Sequence, residues 1–302
     1  MAFILDEIEI PIGRYVESGV DWIRNNMEPA LDGFAGVVGF FTNSFANLLL
    51  WLPMEIFILL VAIVSFWRVG WKFGIFSVLS LLLIAIMGLW DQTMSTLALV
   101  LAASVVALLI GLPIGIAMAR NNTVEAIVRP VLDFMQTMPP FVYLIPAAIF
   151  FGLGQVPGAI ATVVFAMPPA VRLTNLGIRQ VSAENVEAGQ AFGCTDRQLL
   201  FKVQLPLALP NIMAGINQTI MLSLSMVVIA SMIGAGGLGN TVLTGIQRLN
   251  VGLGFEGGLG VVILAILLDR ITQSFAPQYG SARRRGILDF LRRWQDGKQQ
   301  TA

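Results

Sequence analysis

Seven stretches of the chain are apolar and approach the length needed to cross a lipid bilayer. They lie at 48–67, 73–90, 94–119, 136–154, 156–174, 207–234 and 256–276. A helix needs roughly 20 apolar residues to cross the hydrocarbon core. Only Gly152 to Gly158 separates the fourth stretch from the fifth, which predicts a tight helical hairpin. The pattern predicts an all-α membrane protein, a polytopic bundle of about seven transmembrane helices.

An amphipathic region at residues 1–47 precedes these segments. Its apolar residues recur at spacings of three and four, which places them on one face of a helix; they are Val16, Val20, Ile23, Met27, Leu31, Phe34 and Val38. Pro29 is expected to kink this helix. Such a stripe can lie in the bilayer interface or pack against the rest of the protein. We favour the interface, because the chain offers little soluble domain for packing.

Composition agrees with a membrane protein and excludes several kinds of site. The 302 residues are 56% hydrophobic and 12% charged, with a mean hydropathy of +0.80, which is too apolar for an ordinary soluble domain. The chain has no histidine, and Cys194 is its only cysteine, which excludes an internal disulfide and a multi-cysteine metal site. We therefore expect no metal and no bound cofactor in this chain.

The polar run EAGQAFGCTDRQLLFKVQLP, residues 187–206, stands between two apolar blocks. Its pattern predicts two short helices joined by a tight corner. Ser182 is the expected N-cap of the first helix. Gly193 is expected to end that helix in the left-handed conformation, which glycine adopts without a Cβ clash.

The second short helix has its own start and stop signals. Thr195 and Gln198 have the spacing of a capping box, and Pro206 and Pro210 are expected to end the helix. A plain connecting loop is one alternative for this run. A DNA-binding helix-turn-helix is another, but apolar segments of membrane length begin within about ten residues on each side, which argues against nucleic-acid binding.

The distribution of basic residues predicts the orientation in the membrane. With the N-terminus outside, 15 of the 18 lysines and arginines lie on the inner side, and only Arg14, Arg24 and Arg248 remain outside. The polar run at 187–206 then faces the cytoplasm. The basic C-terminal tail, residues 278–302, is expected to rest on anionic lipid headgroups.

Three other features could suggest a functional site, but each has a simpler explanation. Residues 234–239 match G-x-G-x-x-G, but they follow a membrane helix rather than a strand, so we expect an outer turn or gate instead of a dinucleotide site. The phosphate-binding pattern G-x-x-x-x-G-K-[ST] does not occur in the sequence, so an ATPase would have to be a separate subunit. Asp269 and Arg270 are expected to neutralise each other inside an apolar span.

The sixth segment is unusually rich in uncharged polar residues, namely Asn211, Asn217, Gln218, Thr219, Ser223, Ser225 and Ser231. Such side chains either form hydrogen bonds between helices or line a polar path across the membrane. Both interpretations stay open. As the translocation path we name Tyr143, Asn217, Thr219, Ser223 and Ser225. A path without fixed charge suits a zwitterion or a cation with bulky methyl groups, whose tight binding would reside in a separate protein.

The polar run resembles the cytoplasmic EAA loop of ATP-binding-cassette (ABC) importer permeases. The resemblance rests on Glu187-Ala188, Gly193 and Val203-x-Leu205-Pro206, while Gly189 replaces the usual second alanine and Val203 a usual isoleucine. In that family the loop is the coupling helix, which docks into a groove on an ATPase subunit. The resemblance implies this role for residues 180–206, with no catalytic residue in the chain itself and with ATP and Mg used by the partner.

Residues from about 90 to 277 resemble, more narrowly, the permeases of glycine betaine, proline-betaine and choline importers. The matching runs are PFVYLIP at 140–146, PPAVRLTNLGIRQV at 168–181, PNIMAGINQTI at 210–220 and LSMVVIASMIGAGGLG at 224–239. The resemblance implies a permease homodimer in the bacterial inner (cytoplasmic) membrane. It also implies two ATPase subunits and a periplasmic or lipid-anchored binding protein, which together import a compatible solute for osmoprotection.

The same resemblance implies a division of the chain. After the N-terminal region come two accessory helices at 48–90, an ABC type-1 transmembrane domain at 91–277 and the tail. One alternative function is a permease for another small, amino acid-like solute. A second is a secondary transporter or channel without an ATPase, which an embedded acid relay or an internal repeat would favour; neither is evident in the sequence.

Overall fold

The computed structural model describes residues 12–275, so the expectations for residues 1–11 and for the tail at 278–302 lie outside the described part. Between residues 12 and 275 the regular structure is helical. The first helices are α1 (Ile12–Asn26), α2 (Glu28–Trp51), α3 (Met54–Arg68), α4 (Trp71–Ile86), α5 (Trp90–Arg120) and α6 (Asn122–Thr137). They are followed by α7 (Leu144–Phe151), α8 (Gln155–Ala166), α9 (Pro168–Arg179), α10 (Ala183–Ala191), α11 (Asp196–Leu199), α12 (Leu205–Ala230), α13 (Gly237–Gln247) and α14 (Val251–Gln273).

Five helical stretches within 12–275 are long and apolar enough to span a membrane. They are Glu28–Trp51, Trp90–Arg120, Gln155–Arg179, Asp196–Ile233 and Val251–Gln273. A sixth arises if Asn122–Thr137 and Pro140–Phe151, which meet at 110°, form one bent span. Trp71–Ile86 is a shorter apolar helix. The polytopic helical bundle expected from the sequence is confirmed, with a helix count close to the predicted one.

Prolines account for two breaks that hydropathy did not place. Leu52 and Met138 both precede a proline and both have extended backbone, with ψ of 123° and 133°. The proline ring clashes with a helical conformation of the residue before it. Consequently the predicted segment 48–67 is divided between α2 and α3, and the predicted segment 136–154 begins at the bend that follows α6.

The N-terminal region differs from the expected single kinked helix. Here α1 ends at Asn26, and Pro29 lies in the first turn of α2, where its missing N–H costs nothing. Val38 and Thr42 of α2 are fully buried in the bundle, and α2 packs against α5 and α8. The second half of the region therefore packs on the protein instead of lying in the interface, and the boundary expected at residue 47 falls inside α2.

Helix α5 forms the centre of the bundle and packs against α2, α8, α9, α12 and α13. Small residues allow this close packing. A Cβ on Gly115 would lie 2.7 Å from both Thr174 Cβ and the backbone oxygen of Val171 on α9. A Cβ on Gly111 would lie 3.3 Å from Ala170 Cβ. The small-residue face formed by Gly111 and Gly115 is thus the α5–α9 contact.

Candidate functional site

The polar run forms two short helices joined by a corner, as its pattern predicts. Gly193 follows α10 with a φ of +77°, in the left-handed region. The N–H of Cys194 donates to Gly189 O at 3.1 Å, and the N–H of Gly193 donates to Gln190 O at 2.9 Å. These two hydrogen bonds are those of a Schellman motif, which satisfies carbonyls at a helix C-terminus. Ser182 occupies the N-cap position of α10, as predicted, but its hydroxyl accepts from Asn185 Nδ2 at 2.8 Å and makes no capping hydrogen bond to the backbone.

The second short helix begins with the predicted capping box. The N–H of Gln198 donates to Thr195 Oγ1 at 3.4 Å, and the N–H of Thr195 donates to Gln198 Oε1 at 3.0 Å. Its predicted end is wrong, because α11 continues through a π-helical turn, Leu200–Gln204, into α12. Proline removes one hydrogen bond and crowds the carbonyl four residues before it. The wider π turn lies directly before Pro206, where it accommodates that proline without ending the helix.

Close packing holds the two halves of the corner together. Gly189 is buried, and a Cβ on it would lie 2.7 Å from Leu199 Cδ1 and 3.5 Å from Val203 Cγ2. The structure therefore brings together two of the predicted coupling residues, Gly189 and Val203. Of the remaining residues of that set, Glu187, Ala188, Gly193 and Pro206 are exposed, and Leu205 is half-buried.

The corner also exposes large apolar side chains that the sequence reasoning did not single out. Phe192 is 90% exposed and Phe201 is 57% exposed. Phe201 borders a groove of about 460 Å³, together with Thr195, Arg197, Gln198 and Lys202. The sequence signal that could have identified them is the presence of phenylalanines within a run of charged and polar residues. An exposed apolar patch with a polar rim is typical of a protein-binding surface.

The predicted path residues do not share one surface. Asn217 Nδ2 donates to Asp269 Oδ1 on α14 at 2.8 Å, and Ser104 on α5 donates its hydroxyl to Ser223 Oγ at 3.2 Å. Thr219 is fully buried. Ser225 is exposed and donates to the backbone of its own helix. For Asn217 and Ser223 the structure favours the interhelical alternative.

Tyr143 packs beside the same helix, in a buried cluster with Met226 of α12. It is buried in the short helical turn Pro140–Tyr143, and its hydroxyl donates to the backbone oxygen of Met135. Its ring makes an edge contact with Phe165, with 5.9 Å between the ring centres. The hydrogen bond closes the bend between α6 and α7, which is a structural use of this side chain.

A different polar stripe runs along the open face of α12. Asn211, Gln218 and Ser225 follow each other at intervals of seven residues, which places them on one side of the helix. Gln218 and Ser225 are exposed, and Asn211 is half-buried. Hydrocarbon gives an exposed amide no hydrogen-bond partner. This face of a 26-residue apolar helix is therefore unsuited to contact with lipid tails.

The structure also describes the Asp269–Arg270 pair and the glycine-rich turn at residues 234–239. No ion pair joins Asp269 and Arg270 among the described residues; the Asp269 carboxylate accepts from Asn217 and from Gln273 Nε2, at 2.6 Å. The glycine-rich turn follows helix α12 and packs inside the bundle. There the N–H of Leu238 donates to Thr96 Oγ1 on α5 at 2.8 Å.

The fold and this corner define a polytopic helical membrane protein with a polar helix-turn-helix between two spans. Residues 111–280 match the family model described as "Binding-protein-dependent transport system inner membrane component". The chain belongs to this family, whose members are subunits of transport systems in the inner membrane.

Curated relatives are similar over most of the chain. The "Glycine betaine/proline betaine transport system permease protein ProW" of Escherichia coli is 51% identical over 265 residues, 88% of this chain and 75% of that protein. The "Glycine betaine/carnitine transport permease protein GbuB" of Listeria monocytogenes is 52% identical, over 88% of this chain and 95% of that protein. An inward-facing MetNI methionine ABC transporter structure matches 63% of this chain and 96% of its own with a TM-score of 0.56; at 23% identity, it supports the fold.

Proposed function

We propose that this chain is the permease subunit of an ATP-driven ABC importer. Its substrate is glycine betaine, choline or a related quaternary-ammonium compound. The permease itself performs no bond chemistry. A separate ATPase subunit hydrolyses ATP, and a separate binding protein captures the solute. The names of the two curated relatives described above support the substrate class, since both include glycine betaine.

The observation that carries the proposal is the exposed Phe192 on a rigidly held corner. The Schellman motif, the capping box and the buried Gly189 fix the backbone around it. Its side chain nevertheless remains 90% exposed. A large apolar side chain on a fixed support is the usual anchor of a protein interface. The proposed partner is the ATPase subunit, which would press on the corner when the two ATPase subunits of the importer close on ATP.

The assembly follows from this role. Two copies of the permease carry two ATPase subunits on the cytoplasmic side, where the excess of basic residues places residues 180–206. The binding protein, periplasmic or lipid-anchored, docks on the outer side, together with the N-terminus. The transmembrane domain comprises residues 91–277, preceded by the accessory helices and followed by the basic tail, which contacts lipid headgroups.

The translocation path is part of the proposal. We assign it to the open face of α12, around Ser225 and Gln218. Of the residues predicted to form the path, Ser225 lies on this face. Asn217, Thr219 and Ser223 belong to the same helix but face the interior of the bundle. A polar face without charge leaves the solute's own charges uncompensated, so it favours passage over tight binding. Alternating access requires that ATP bind the inward- and outward-facing states with different free energies.

The decisive experiment is reconstitution with the co-encoded ATPase and binding protein. Binding protein loaded with glycine betaine should raise ATP turnover and drive uptake, while the unloaded protein should not. Phe192→Ala should reduce retention of the ATPase on the purified permease. Phe255→Ala is the matched control, since Phe255 is 69% exposed on α14, away from the corner.

Three results would contradict parts of this proposal. Stimulation by a loaded amino acid, with none by glycine betaine, would favour a permease for another small solute. Uptake in vesicles driven by an ion gradient alone would favour a secondary transporter. Full ATPase retention and full uptake in the Phe192→Ala protein would remove the corner from the coupling role.

A further inference from the structure

Arg179 lies at the base of the corner and contacts the ends of two other helices. It is the last residue of α9, four residues before α10 begins at Ala183. Its Nη2 donates to Met118 O at the end of α5 and to Asn122 Oδ1 at the start of α6, both at 2.8 Å. A carbonyl in the last turn of a helix has no partner in its own helix. Arg179 therefore supplies the hydrogen bond that the end of α5 lacks.

Glu125 completes the contact from the α6 side. Its Oε2 forms an ion pair with Arg179 Nη2 at 2.9 Å, and its Oε1 accepts from Asn175 Nδ2 on α9 at 3.2 Å. Asn175 Oδ1 in turn accepts from Arg179 Nε at 3.0 Å. The Glu125 side chain is only 15% exposed, so water screens this pair less than an ordinary surface pair.

A second ion pair joins the same two helices. Arg172 on α9 contacts Asp133 on α6, and both side chains are more exposed than Glu125. The two pairs are spaced along α9 by seven residues, which is about two helical turns. Two contacts at different heights resist rotation of α6 against α9, whereas a single contact would leave a pivot.

A weaker side-chain contact joins Gln180, the residue after Arg179, to α12. Gln180 Oε1 accepts from Asn211 Nδ2 on α12 at 3.3 Å, a single neutral hydrogen bond. Charge-assisted hydrogen bonds are shorter and stronger than neutral ones. Besides the continuous backbone from α11 into α12, the strongest side-chain link from this end of the corner is therefore the one to α5 and α6, through Arg179.

We propose that Arg179 and Glu125 are positioning residues that make α6 and the end of α5 move as one body with the corner. This inference rests on the proposed function, in which an ATPase displaces the corner. Without the ion pair, the corner still docks on the ATPase and ATP is still hydrolysed. The movement then fails to reach α5 and α6, so hydrolysis is no longer matched by uptake.

The test uses the complete reconstituted importer and measures solute taken up per ATP hydrolysed. Glu125→Gln keeps the size of the side chain and removes its charge. We expect uptake per ATP to fall by about tenfold, a size common for coupling between distant sites, with ATPase retention unchanged. Arg179→Lys should act similarly, because one ammonium group cannot reproduce the fork of a guanidinium.

The matched control is Arg129→Ala. Arg129 Nη2 contacts Glu125 Oε1 at 2.6 Å, but it lies on the same helix, four residues away, and is 65% exposed. Its loss removes an ion pair to Glu125 without loosening α6 from α9. We expect uptake per ATP to equal that of the unaltered protein.

A removable crosslink separates a transmitting role from general stabilisation. Glu125→Cys and Asn175→Cys are combined with Cys194→Ser, after the single Cys194→Ser protein has been measured to transport normally. A short bifunctional methanethiosulfonate then joins the two new thiols. We expect uptake per ATP to be low before crosslinking, to recover when the helices are joined, and to fall again after reduction.

Two outcomes would overturn the inference: an unchanged ratio in Glu125→Gln, or a crosslink that abolishes uptake, because α6 and α9 would then have to separate during transport. Failure of the proposed function is distinguishable from both. In that case the unaltered complex itself would show no ATP turnover stimulated by the loaded binding protein.

Discussion

Leu199 Cδ1 lies only 2.7 Å from the position that a Cβ on Gly189 would occupy. The two residues belong to different helices of the corner, so glycine at 189 allows α10 to rest directly on α11 and on the π turn that follows it. Gly189 lies near the C-terminal end of α10, where a glycine is otherwise unfavourable in a helix. The atom nearest to the added Cβ is a methyl carbon at the end of the flexible Leu199 side chain, and this determines the effect of a substitution at Gly189.

We expect Gly189→Ala to be tolerated. Leu199 can turn its methyl group aside, and alanine gains roughly 0.5–1 kcal/mol of helix propensity over glycine, which offsets the crowding. A leucine side chain at 189 is too large for Leu199 to make room for it by turning a methyl group aside. Gly189→Leu should therefore separate α10 from Val203. Retention of the co-purified ATPase measures the outcome. Equal retention by the alanine and leucine variants would show that the contact does not hold the corner in shape.

The α5–α9 contact predicts a different response to the same chemical change. At Gly115 an added Cβ would lie 2.7 Å from the backbone oxygen of Val171, which cannot turn aside. Gly115→Ala should therefore lower the free energy of unfolding by roughly 1–3 kcal/mol, as overpacking does. Gly258→Ala on α14 is the matched control, because no atom lies within 4 Å of its added Cβ.

Thermal unfolding in detergent, followed by tryptophan fluorescence, measures both glycine variants. We expect a lower transition temperature for Gly115→Ala and none of that loss for Gly258→Ala. Equal transition temperatures would mean that α5 and α9 can move apart without cost.

The hydrogen bond from Leu238 N–H to Thr96 Oγ1 predicts a loss of stability when its acceptor is removed. Leu238 is fully buried, so Thr96→Val leaves a buried donor without a partner, which costs about 1–3 kcal/mol. Thr96→Ser keeps the oxygen and should retain most of the stability. Unfolding of the glycine-rich turn can be followed by hydrogen exchange at residues 234–239.

Thr93→Val is the control for that substitution. Thr93 Oγ1 donates to Leu89 O in its own helix, and this oxygen already accepts from the Thr93 N–H. Its loss leaves no unpaired buried group, so exchange at the glycine-rich turn should not change. Faster exchange in both valine variants would trace the effect to α5 as a whole and not to the Thr96 contact.

Local chemistry explains which parts of the corner could be predicted from the sequence. The capping box at Thr195 and the left-handed Gly193 depend on residues at most five apart, so their spacing carries the information. The N-cap position of Ser182 is as predicted, but its hydroxyl pairs with the Asn185 side chain instead of a backbone N–H. The continuation through Pro206 required a π turn, and no pattern in the run marks one.

Long-range contacts set the limit of the sequence reasoning elsewhere. Whether Asn217 faces a path or a neighbour depends on where α14 brings Asp269, a residue 52 positions away. The ion pair between Glu125 and Arg179 joins residues 54 positions apart (179 − 125). Hydropathy also did not predict a membrane span for α2, because its glycines, Thr42 and Asn43 lower the average hydropathy of the segment. In the structure this helix nevertheless packs against α5.

The polar stripe on α12 gives the last prediction. A thiol reacts with a charged, water-soluble methanethiosulfonate only where water reaches it, because the thiolate is the reactive form. Gln218→Cys and Ser225→Cys, each in the Cys194→Ser background, should therefore react within the assembled importer. Addition of ATP with vanadate should change their reaction rates, since the proposed path switches sides during the cycle.

Two controls bracket this labelling experiment. Ser223→Cys lies on the buried side of the same helix, against Ser104, and should stay unlabelled. Leu59→Cys on α3 is 58% exposed on an apolar face and tests whether exposure alone is sufficient. If Leu59→Cys reacts as fast as Gln218→Cys, the reagent reaches lipid-facing positions and the assay does not discriminate. If neither Gln218→Cys nor Ser225→Cys reacts in any nucleotide state, water does not reach this face, and the path must lie elsewhere in the bundle.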